Sequence, residues 1–360
     1  MLLEKIINKE NRKQKDLNEL KASSIPNIIY GVGNYATCIL KYLERNGIKI
    51  DVACVDDEYI GTCDTHFRGI DVTTLKQVCK TFKQFNVILG FADYKNARKK
   101  VENIPNIEAT YFLDTPTYTP FFDYQYIVDH INEFENIYNL LQDKQSKETL
   151  VAFINSKISG EPYGLYELMD QDQYFNDLVP FGSNEVFIDC GAYNGDTILG
   201  FVNKVGKEYK KIYAFEPDDI NNDILIKTVE KNNLHDIQII KKGCWRSEAK
   251  LTFSSDGEQS TFNSNSNDII IEVDAIDNIV QKDKVTFIKM DVEGSELDAL
   301  QGAKKTIMKD KPNLAICVYH KPEDLLTIPQ YILSIAPDYK FYLRHHQFIS
   351  WETVLYAIAK

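Results

Sequence analysis

Short apolar runs alternate with amphipathic, helix-period stretches in two separate parts of the chain. The first part contains four apolar runs, which read IIY, DVACVDD, NVILGF and EATYFLD. Helix-period segments follow the glycines after the first run and occupy residues 71–82 and 93–104. Strands that alternate with helices predict a parallel sheet with right-handed crossovers. Four strands amount to about half of a doubly wound fold.

The second part starts at Glu185 and predicts seven strands. Their sequences are EVFIDC, KIYAFE, IQIIKK, VTFIKM, NLAICVY, YKFYLR and TVLYAIAK. The last two strands are joined by HHQFISWE, which is too short for a parallel crossover, so the final strand is expected to run antiparallel. KLTF and DIIIEVDAID form an insertion after the third strand. The polar residues between them predict a surface hairpin loop, with a mobile polar lid as the alternative.

These patterns predict four segments. Residues 1–24 are interpreted as an N-terminal helix, and residues 25–115 as a Rossmann-like α/β domain. Residues 116–182 combine turn residues with helix-period apolar positions and predict a linker of two or three helices. The aromatic faces of these helices are expected to pack between the domains. Residues 183–360 form the second and larger α/β domain.

Composition and charge narrow the class of protein. The length of 360 residues suits two domains, and 44% hydrophobic residues supply their cores. The net charge of −12, without a basic stripe, argues against nucleic-acid binding. No apolar run is long enough to span a membrane, and the charged N-terminus is not a secretory signal. We therefore expect a cytoplasmic protein; a homo-oligomer remains open.

The seven cysteines are scattered singly and include no Cys-x-x-Cys pair. Such a pattern is typical of reduced, mostly buried thiols and of neither a disulfide framework nor a zinc site.

The stretch VFIDCGAYNGDT predicts a nucleoside-binding loop at the start of the second domain. Gly191 and Gly195 let the backbone approach a ligand that a side chain would repel. Glu216 ends the next strand, where a carboxylate can accept both hydroxyls of an adenosine ribose. Since NAD and S-adenosylmethionine both carry that ribose, the loop and Glu216 alone do not separate them.

Three details favour S-adenosylmethionine. The loop is Gly-x-x-x-Gly, whereas a pyrophosphate is held by Gly-x-Gly-x-x-Gly at a helix N-terminus. Asp189 and Asp196 flank the loop and would repel a diphosphate, but not a zwitterionic methionine. An antiparallel last strand is also foreign to a dinucleotide-binding fold.

Six motifs in order, each at a strand end, resemble the FkbM family of S-adenosylmethionine-dependent methyltransferases from about Tyr174 to the C-terminus. They are FIDCGAYNGDT, AFEPD, KGCWRSEAKLTF, FIKMDVEGSELDALQGA, VYHKPEDL, and YLRHH with ETVLYAIA. The resemblance implies the class I methyltransferase fold, a seven-stranded Rossmann-like sheet whose last strand is antiparallel. Tyr193 replaces the middle glycine of the more common Gly-x-Gly-x-Gly loop.

The resemblance also implies a cofactor site. The methionine end would be held by Asp189, Gly191, Ala192, Tyr193, Gly195, Asp196 and Thr197. Glu216, followed by Pro217, would bind the ribose, and Gly243, Cys244 and Trp245 would bind the adenine. Asp291 would lie near the cofactor amino group and the methyl donor.

Methyl transfer to a hydroxyl requires alignment and a proton acceptor. His320 follows the fifth strand at the edge where open sheets bind ligands, which makes it the first candidate for a general base, with Asp291 second. A structural role for His320 in fixing its loop is the alternative. Glu293 and Glu296 are interpreted as first-turn acids of a helix. His345 and His346 are adjacent on a strand and point to opposite faces, so no metal site is predicted.

The first domain carries a second candidate nucleotide site. Gly31 and Gly33 follow a strand, Asn34 opens a helix, and Asp56 ends the next strand. A mononucleotide or a nucleotide-sugar would place its phosphate near the glycines and its ribose near Asp56. The alternative is a scaffold or dimerisation domain that binds no ligand.

Taken together, the sequence predicts an S-adenosylmethionine-dependent enzyme that methylates a hydroxyl of a saccharide, a related polyol or another small natural product. Two alternatives stay open: a nicotinamide-dependent oxidoreductase, and a catalytically silent protein that binds a nucleotide-sugar.

Overall fold

The structure is a computed structural model that describes residues 1–114, 122–162, 164–253 and 269–359. It contains two mixed α/β parts, each with its own sheet and its own hydrophobic core. The predicted surface loop between the two insertion strands lies outside the described residues.

The N-terminal part is built on one sheet of six strands. The strands are β1 (Asn27–Tyr30), β2 (Val52–Val55), β3 (His66–Phe67), β4 (Ile70–Thr74), β5 (Phe85–Leu89) and β6 (Ile107–Tyr111). The helices are α1 (Arg12–Ala22), α2 (Asn34–Arg45), α3 (Leu75–Thr81) and α4 (Tyr94–Val101). The sheet order is β3-β4-β2-β1-β5-β6, and only β3 pairs antiparallel to its neighbour.

Two predictions for this part are wrong in detail. Residues 71–74, predicted as the start of a helix, belong to β4, which pairs in parallel with β2 through Ala53 and Val72. The β-branched sequence VTT suits a pleated strand, and the helix begins only after Thr74 caps it. The N-terminal helix is shorter than predicted, because the Asn11 side chain accepts a hydrogen bond from the Gln14 amide and caps α1 at Arg12.

Three helices follow the N-terminal part, in agreement with the predicted linker. They are α5 (Tyr124–Asp129), α6 (Ile131–Leu140) and α7 (Lys144–Ser159). Phe134 and Phe153, on α6 and α7, are buried in the core of the C-terminal part. The linker helices therefore extend that core.

The C-terminal part contains ten strands in two sheets. The strands are β7 (Glu185–Cys190), β8 (Tyr209–Phe215), β9 (Ile237–Ile240), β10 (Gly243–Cys244), β11 (Ala249–Phe253), β12 (Ile269–Asp274), β13 (Phe287–Met290), β14 (Asn313–Cys317), β15 (Lys340–His345) and β16 (Thr353–Ile358), of which β10, β11 and β12 form the smaller sheet. The larger sheet has the order β15-β16-β14-β13-β7-β8-β9. The helices are α8 (Asp196–Val205), α9 (Asp219–Lys231), α10 (Ile276–Ile279), α11 (Glu296–Gly302), α12 (Lys304–Asp310) and α13 (Asp324–Ile335).

The larger sheet brings several chain segments together at one edge. Strands β7, β8, β13 and β14 run parallel, so their carboxyl ends meet there. β16 is antiparallel to β14, with Val354 opposite Cys317, as the short connection before it predicts. Because an antiparallel strand begins where its neighbours end, Glu352 lies at the same edge as the residues that follow the parallel strands.

No helix among the described residues combines the length and the apolar character needed to cross a membrane.

Candidate active site

The loop after β7 has a backbone conformation that requires glycine. Gly191 has a φ of 82°, and a Cβ atom there would lie 2.0 Å from the backbone oxygen of Asp291. Gly195 also has a positive φ and directly precedes α8 as its N-cap. Gly191 thus lets the loop lie against the residue that follows β13, while Gly195 lets it pass close to Leu225 and Thr228 of α9.

A buried ion pair lies beneath this loop. Lys289, in the middle of β13, places its Nζ atom 3.1 Å from Asp189 Oδ1 and donates to the Gly191 carbonyl at 2.6 Å. Burial raises the pKa of Asp189 to about 6, while the Lys289 charge opposes that shift. Burial alone would lower the pKa of Lys289, but Asp189 and Asp291 raise it above its usual value. The pair therefore links the cofactor loop to Asp291.

Glu216, directly after β8, is held by two backbone amides. Its Oε2 accepts from Tyr193 N at 2.8 Å, and its Oε1 accepts from Asp218 N at 3.0 Å. Burial raises the pKa of Glu216. Each carboxylate oxygen has two acceptor positions, so one remains on each oxygen for a ligand hydroxyl.

A cleft of about 1770 Å³ opens at this edge of the sheet. Nine of the twelve predicted cofactor residues line it: Gly191, Tyr193, Asp196, Thr197, Glu216, Pro217, Gly243, Cys244 and Trp245. The other three, Asp189, Ala192 and Gly195, support the loop from behind. This volume exceeds the roughly 300–1,000 Å³ of ordinary ligand sites, so the cleft has room for a cofactor and an acceptor together.

Beside the Gly191 loop, the cleft contains two carboxylates that the Tyr319 hydroxyl joins. The Tyr319 hydroxyl donates to Asp291 Oδ1 at 3.4 Å and lies 3.3 Å from Glu352 Oε1. The Tyr174 hydroxyl donates to Asp291 Oδ2 at 3.2 Å, and Gln173 donates to Glu352. Burial, reinforced by the Asp291 charge, raises the pKa of Glu352 to about 7. A carboxylate with such a pKa suits proton transfer near neutral pH.

His320 lies next to Asp291 and is enclosed by carboxylates. Its Nδ1 is 2.9 Å from Glu296 Oε1, and its Nε2 is 3.4 Å from Glu293 Oε2 and 3.6 Å from Asp291 Oδ1. Burial alone would lower the pKa of His320, but these carboxylates raise it well above its usual value. The described cleft lining includes Asp291 but not His320. The imidazole is therefore protonated near neutral pH and positioned to hold Asp291.

The interpretation of the two glutamates needs one correction. Glu296 lies in the first turn of α11, as predicted. Glu293 precedes that helix, with a φ of 53°, because the chain turns sharply through Gly294 before α11 begins. Its side chain is 75% exposed and lines the cleft.

Two groups of possible metal ligands lie within the described residues. Asp291, Glu296 and His320 form one group, and Asp291, Cys317 and Glu352 form the other, with ligand atoms in each group within 4.8 Å of one another. The adjacent His345 and His346 belong to neither group, because each is held by structural hydrogen bonds: His345 to the Thr353 hydroxyl, and His346 to the Asp170 carbonyl and the Tyr356 hydroxyl.

The predicted second nucleotide site has a different environment. Gly31 and Gly33 follow β1 and Asn34 opens α2, as predicted. Asp56 ends β2, but its side chain accepts hydrogen bonds from the Tyr30 hydroxyl and from Lys100 of α4. One acceptor position is left on each oxygen of Asp56, as it is on each oxygen of Glu216, so the carboxylate can still accept hydrogen bonds from a ribose.

Sequence reasoning missed several residues of the cleft. Lys289 could have been suspected, because a lysine inside the apolar strand FIKM is rare unless paired. Trp351 and Tyr174 come from connections that approach the cleft only through the tertiary fold, and no local motif marks them. Glu352 begins the quoted motif ETVLYAIA, but nothing in that motif shows that its side chain lines the cleft.

Comparison with known proteins supports the assignment of the C-terminal part. Residues 189–348 match the family model described as the Methyltransferase FkbM domain. No curated protein matches the sequence of this chain.

Solved structures with similar folds include a Methyltransferase FkbM from Methylobacillus flagellatus KT. It is 24% identical, with a TM-score of 0.76, and the match covers 97% of this chain and 94% of that chain. This likeness shows that the two proteins share their fold over nearly the whole length.

Two further structures match about half of this chain. An rRNA methylase from Streptococcus thermophilus is 14% identical over 49% of this chain and 87% of its own, with a TM-score of 0.34. Aeropyrum pernix fibrillarin is 12% identical over 50% of this chain and 69% of its own, also with a TM-score of 0.34.

The family match covers the loop after β7, Glu216, Gly243 to Trp245, Asp291 and His320. The match to the Methyltransferase FkbM domain therefore includes most of the predicted cofactor site, and it supports a methyltransferase activity for residues 189–348 of this chain.

Proposed function

We propose that this enzyme transfers the methyl group of S-adenosylmethionine to a hydroxyl of a saccharide or a related polyol. The observation that carries the proposal is that one cleft brings the Gly191 loop and Glu216 together with Asp291 and Glu352. The Gly191 loop and Glu216 suit a nucleoside with an amino-acid tail. Asp291 and Glu352 offer carboxylate acceptors for a hydroxyl proton.

The cofactor end fits S-adenosylmethionine in shape and charge. The loop at Gly191 has no space for a side chain, so its backbone groups can approach the methionine tail. The free acceptor positions of Glu216 would receive the two ribose hydroxyls, and Gly243 to Trp245 would border the adenine. The surrounding carboxylates favour a cationic sulfonium and disfavour a diphosphate.

We assign the proton transfer to the carboxylates. When bound, S-adenosylmethionine supplies an electrophilic methyl group, and its sulfur leaves as a neutral thioether. Glu352 would then accept the proton of the acceptor hydroxyl as its oxygen takes up the methyl group, and Asp291 would hold that hydroxyl in line. His320 is then a positioning residue that fixes Asp291, in place of the base that the sequence first suggests.

The nucleotide site of the N-terminal domain and the cytoplasmic location stay predictions.

Replacing Glu216 by Gln is expected to weaken binding of S-adenosylhomocysteine about 10- to 150-fold. The amide has one acceptor oxygen and no charge, so about one charge-assisted hydrogen bond, worth about 1.5–3 kcal/mol, is lost. Calorimetric titration measures the change. Glu230→Gln, on the exposed surface of α9, is the matched control and should bind as the wild type does. Wild-type affinity in Glu216→Gln would place the ribose elsewhere.

The proposed reaction is tested with methyl-labelled S-adenosylmethionine and saccharide acceptors. Mass spectrometry should locate the label on a saccharide oxygen. Label found on nitrogen, or on a protein or nucleic acid, would contradict the proposed acceptor class.

A further inference from the structure

The part of the cleft around Asp291 and Glu352, which we call the acceptor end, is also lined by side chains that can bind hydroxyl groups. Gln171, Asp172 and Gln173 line it from the segment before β7, and Gln347 and Trp351 line it from the β15–β16 connection. Amide groups both donate and accept hydrogen bonds, and an indole offers a flat apolar face. Such a surface can bind the alternating polar and apolar faces of a sugar ring.

Most of the charged side chains that line the cleft are acidic. Among the described residues that line it, eight are acidic and two, Lys204 and Lys289, are basic. Lys289 is paired with Asp189, and Lys204 lies 3.5 Å from Asp177. The cleft therefore has no cation reserved for an anionic acceptor among its described residues.

The N-terminal domain forms one wall of the acceptor end of the cleft. Ile349 of the β15–β16 connection is buried in the N-terminal core, and the next residue, Ser350, donates a hydrogen bond to the buried Asp114. Trp351 then packs its ring edge-on against Tyr35, with 5.8 Å between ring centroids. Cys38 of α2 also lines the cleft. These contacts fix Trp351 and Glu352 from the N-terminal side.

We infer that the acceptor is a saccharide that carries neither phosphate nor carboxylate, bound against Trp351 in a site that the N-terminal domain helps to build. This inference rests on the proposed methyl transfer to a saccharide. It gives the N-terminal domain a role in the acceptor site that requires no nucleotide.

Electrostatics supports this choice of acceptor. A phosphate or uronate group in the cleft would face Asp172, Glu293 and Glu352, and like charges at an interface oppose binding. Neutral hydroxyls can donate to these carboxylates and exchange hydrogen bonds with the amides. An amino group on the sugar would be tolerated, because it can pair with the exposed Glu293 carboxylate.

The test separates acceptors by charge before labelling. A saccharide extract of the source organism is divided by anion exchange into unretained and retained fractions, and each is incubated with the full-length enzyme and methyl-labelled S-adenosylmethionine. The label is expected in the unretained fraction. Preferential label in the retained fraction overturns the inference, and so does the absence of label from both. Calorimetry with S-adenosylhomocysteine is run in parallel, because a failure to bind would instead refute the proposed cofactor site.

Two variants test the residues. Trp351→Ala should raise the KM for the labelled fraction at least tenfold while the Kd for S-adenosylhomocysteine changes less than twofold, and Trp351→Phe should restore part of the loss. Asp172→Lys should shift label toward the retained fraction, whereas Glu230→Lys, a charge reversal away from the cleft, should not. An unchanged KM in Trp351→Ala, or an unchanged charge preference in Asp172→Lys, contradicts the inference.

Discussion

Glu352→Gln is expected to lower kcat by about 10²- to 10⁴-fold, the usual contribution of a general base. Glutamine keeps the shape of the side chain and its contact with Gln173 but cannot accept the acceptor proton. Because the carboxylate must be ionised to act, wild-type activity should rise with pH through about 7, the pKa to which burial raises Glu352. This rise should disappear in the variant.

Control measurements distinguish the loss of a general base from a loss of folding stability. A raised pKa means that folding disfavours the ionised form of Glu352, so its neutral replacement should not lower stability above pH 7. The thermal midpoint and the affinity for S-adenosylhomocysteine should therefore stay close to the wild-type values. Glu323→Gln, an exposed carboxylate outside the cleft, should leave kcat unchanged. Wild-type kcat in Glu352→Gln would transfer the role to Asp291 or His320.

Lys289→Met is expected to lower the free energy of unfolding by about 3–5 kcal/mol. The substitution leaves the Asp189 carboxylate buried without its partner, which is the costly way to break a buried ion pair. Burial already raises the pKa of Asp189 to about 6, so folding favours its protonated form. The contribution of Asp189 to the free energy of unfolding is therefore present at low pH and lost as pH rises from about 4 to 6. Without Lys289, this loss should extend to higher pH.

Chemical denaturation at several pH values measures the effect. Lys250→Met breaks the exposed pair with Glu272 and should cost less than about 1 kcal/mol. Combining Lys289→Met with Asp189→Asn should recover part of the stability, since no unpaired charge remains. Equal stabilities of the two lysine variants would show that the buried pair does not support the loop.

The sequence predicted the parts of the site that depend on local signals. The segment from Asp189 through Gly191 to Gly195 can be recognised as a ligand-binding loop that follows a strand. A backbone that approaches a ligand closely requires glycine at such positions. Glu216 could be predicted in the same way, since a parallel strand ends at the ligand edge.

Other features depend on contacts between distant segments. The protonation of His320 depends on its burial beside three carboxylates. The neighbouring sequence shows only a histidine that follows a strand. Glu352 enters the cleft because β16 runs antiparallel, and Trp351 because the N-terminal domain packs against the preceding residues. Lys100 reaches Asp56 from another helix, which a Gly-rich fingerprint does not reveal.

The central claim is that this cleft binds S-adenosylmethionine, and competitive calorimetric titration tests it most directly. The full-length protein is titrated with S-adenosylhomocysteine and, separately, with NAD. The account predicts saturable one-to-one binding of S-adenosylhomocysteine that Glu216→Gln weakens, and no comparable binding of NAD. Binding of NAD at this site, with S-adenosylhomocysteine ignored, would contradict the account.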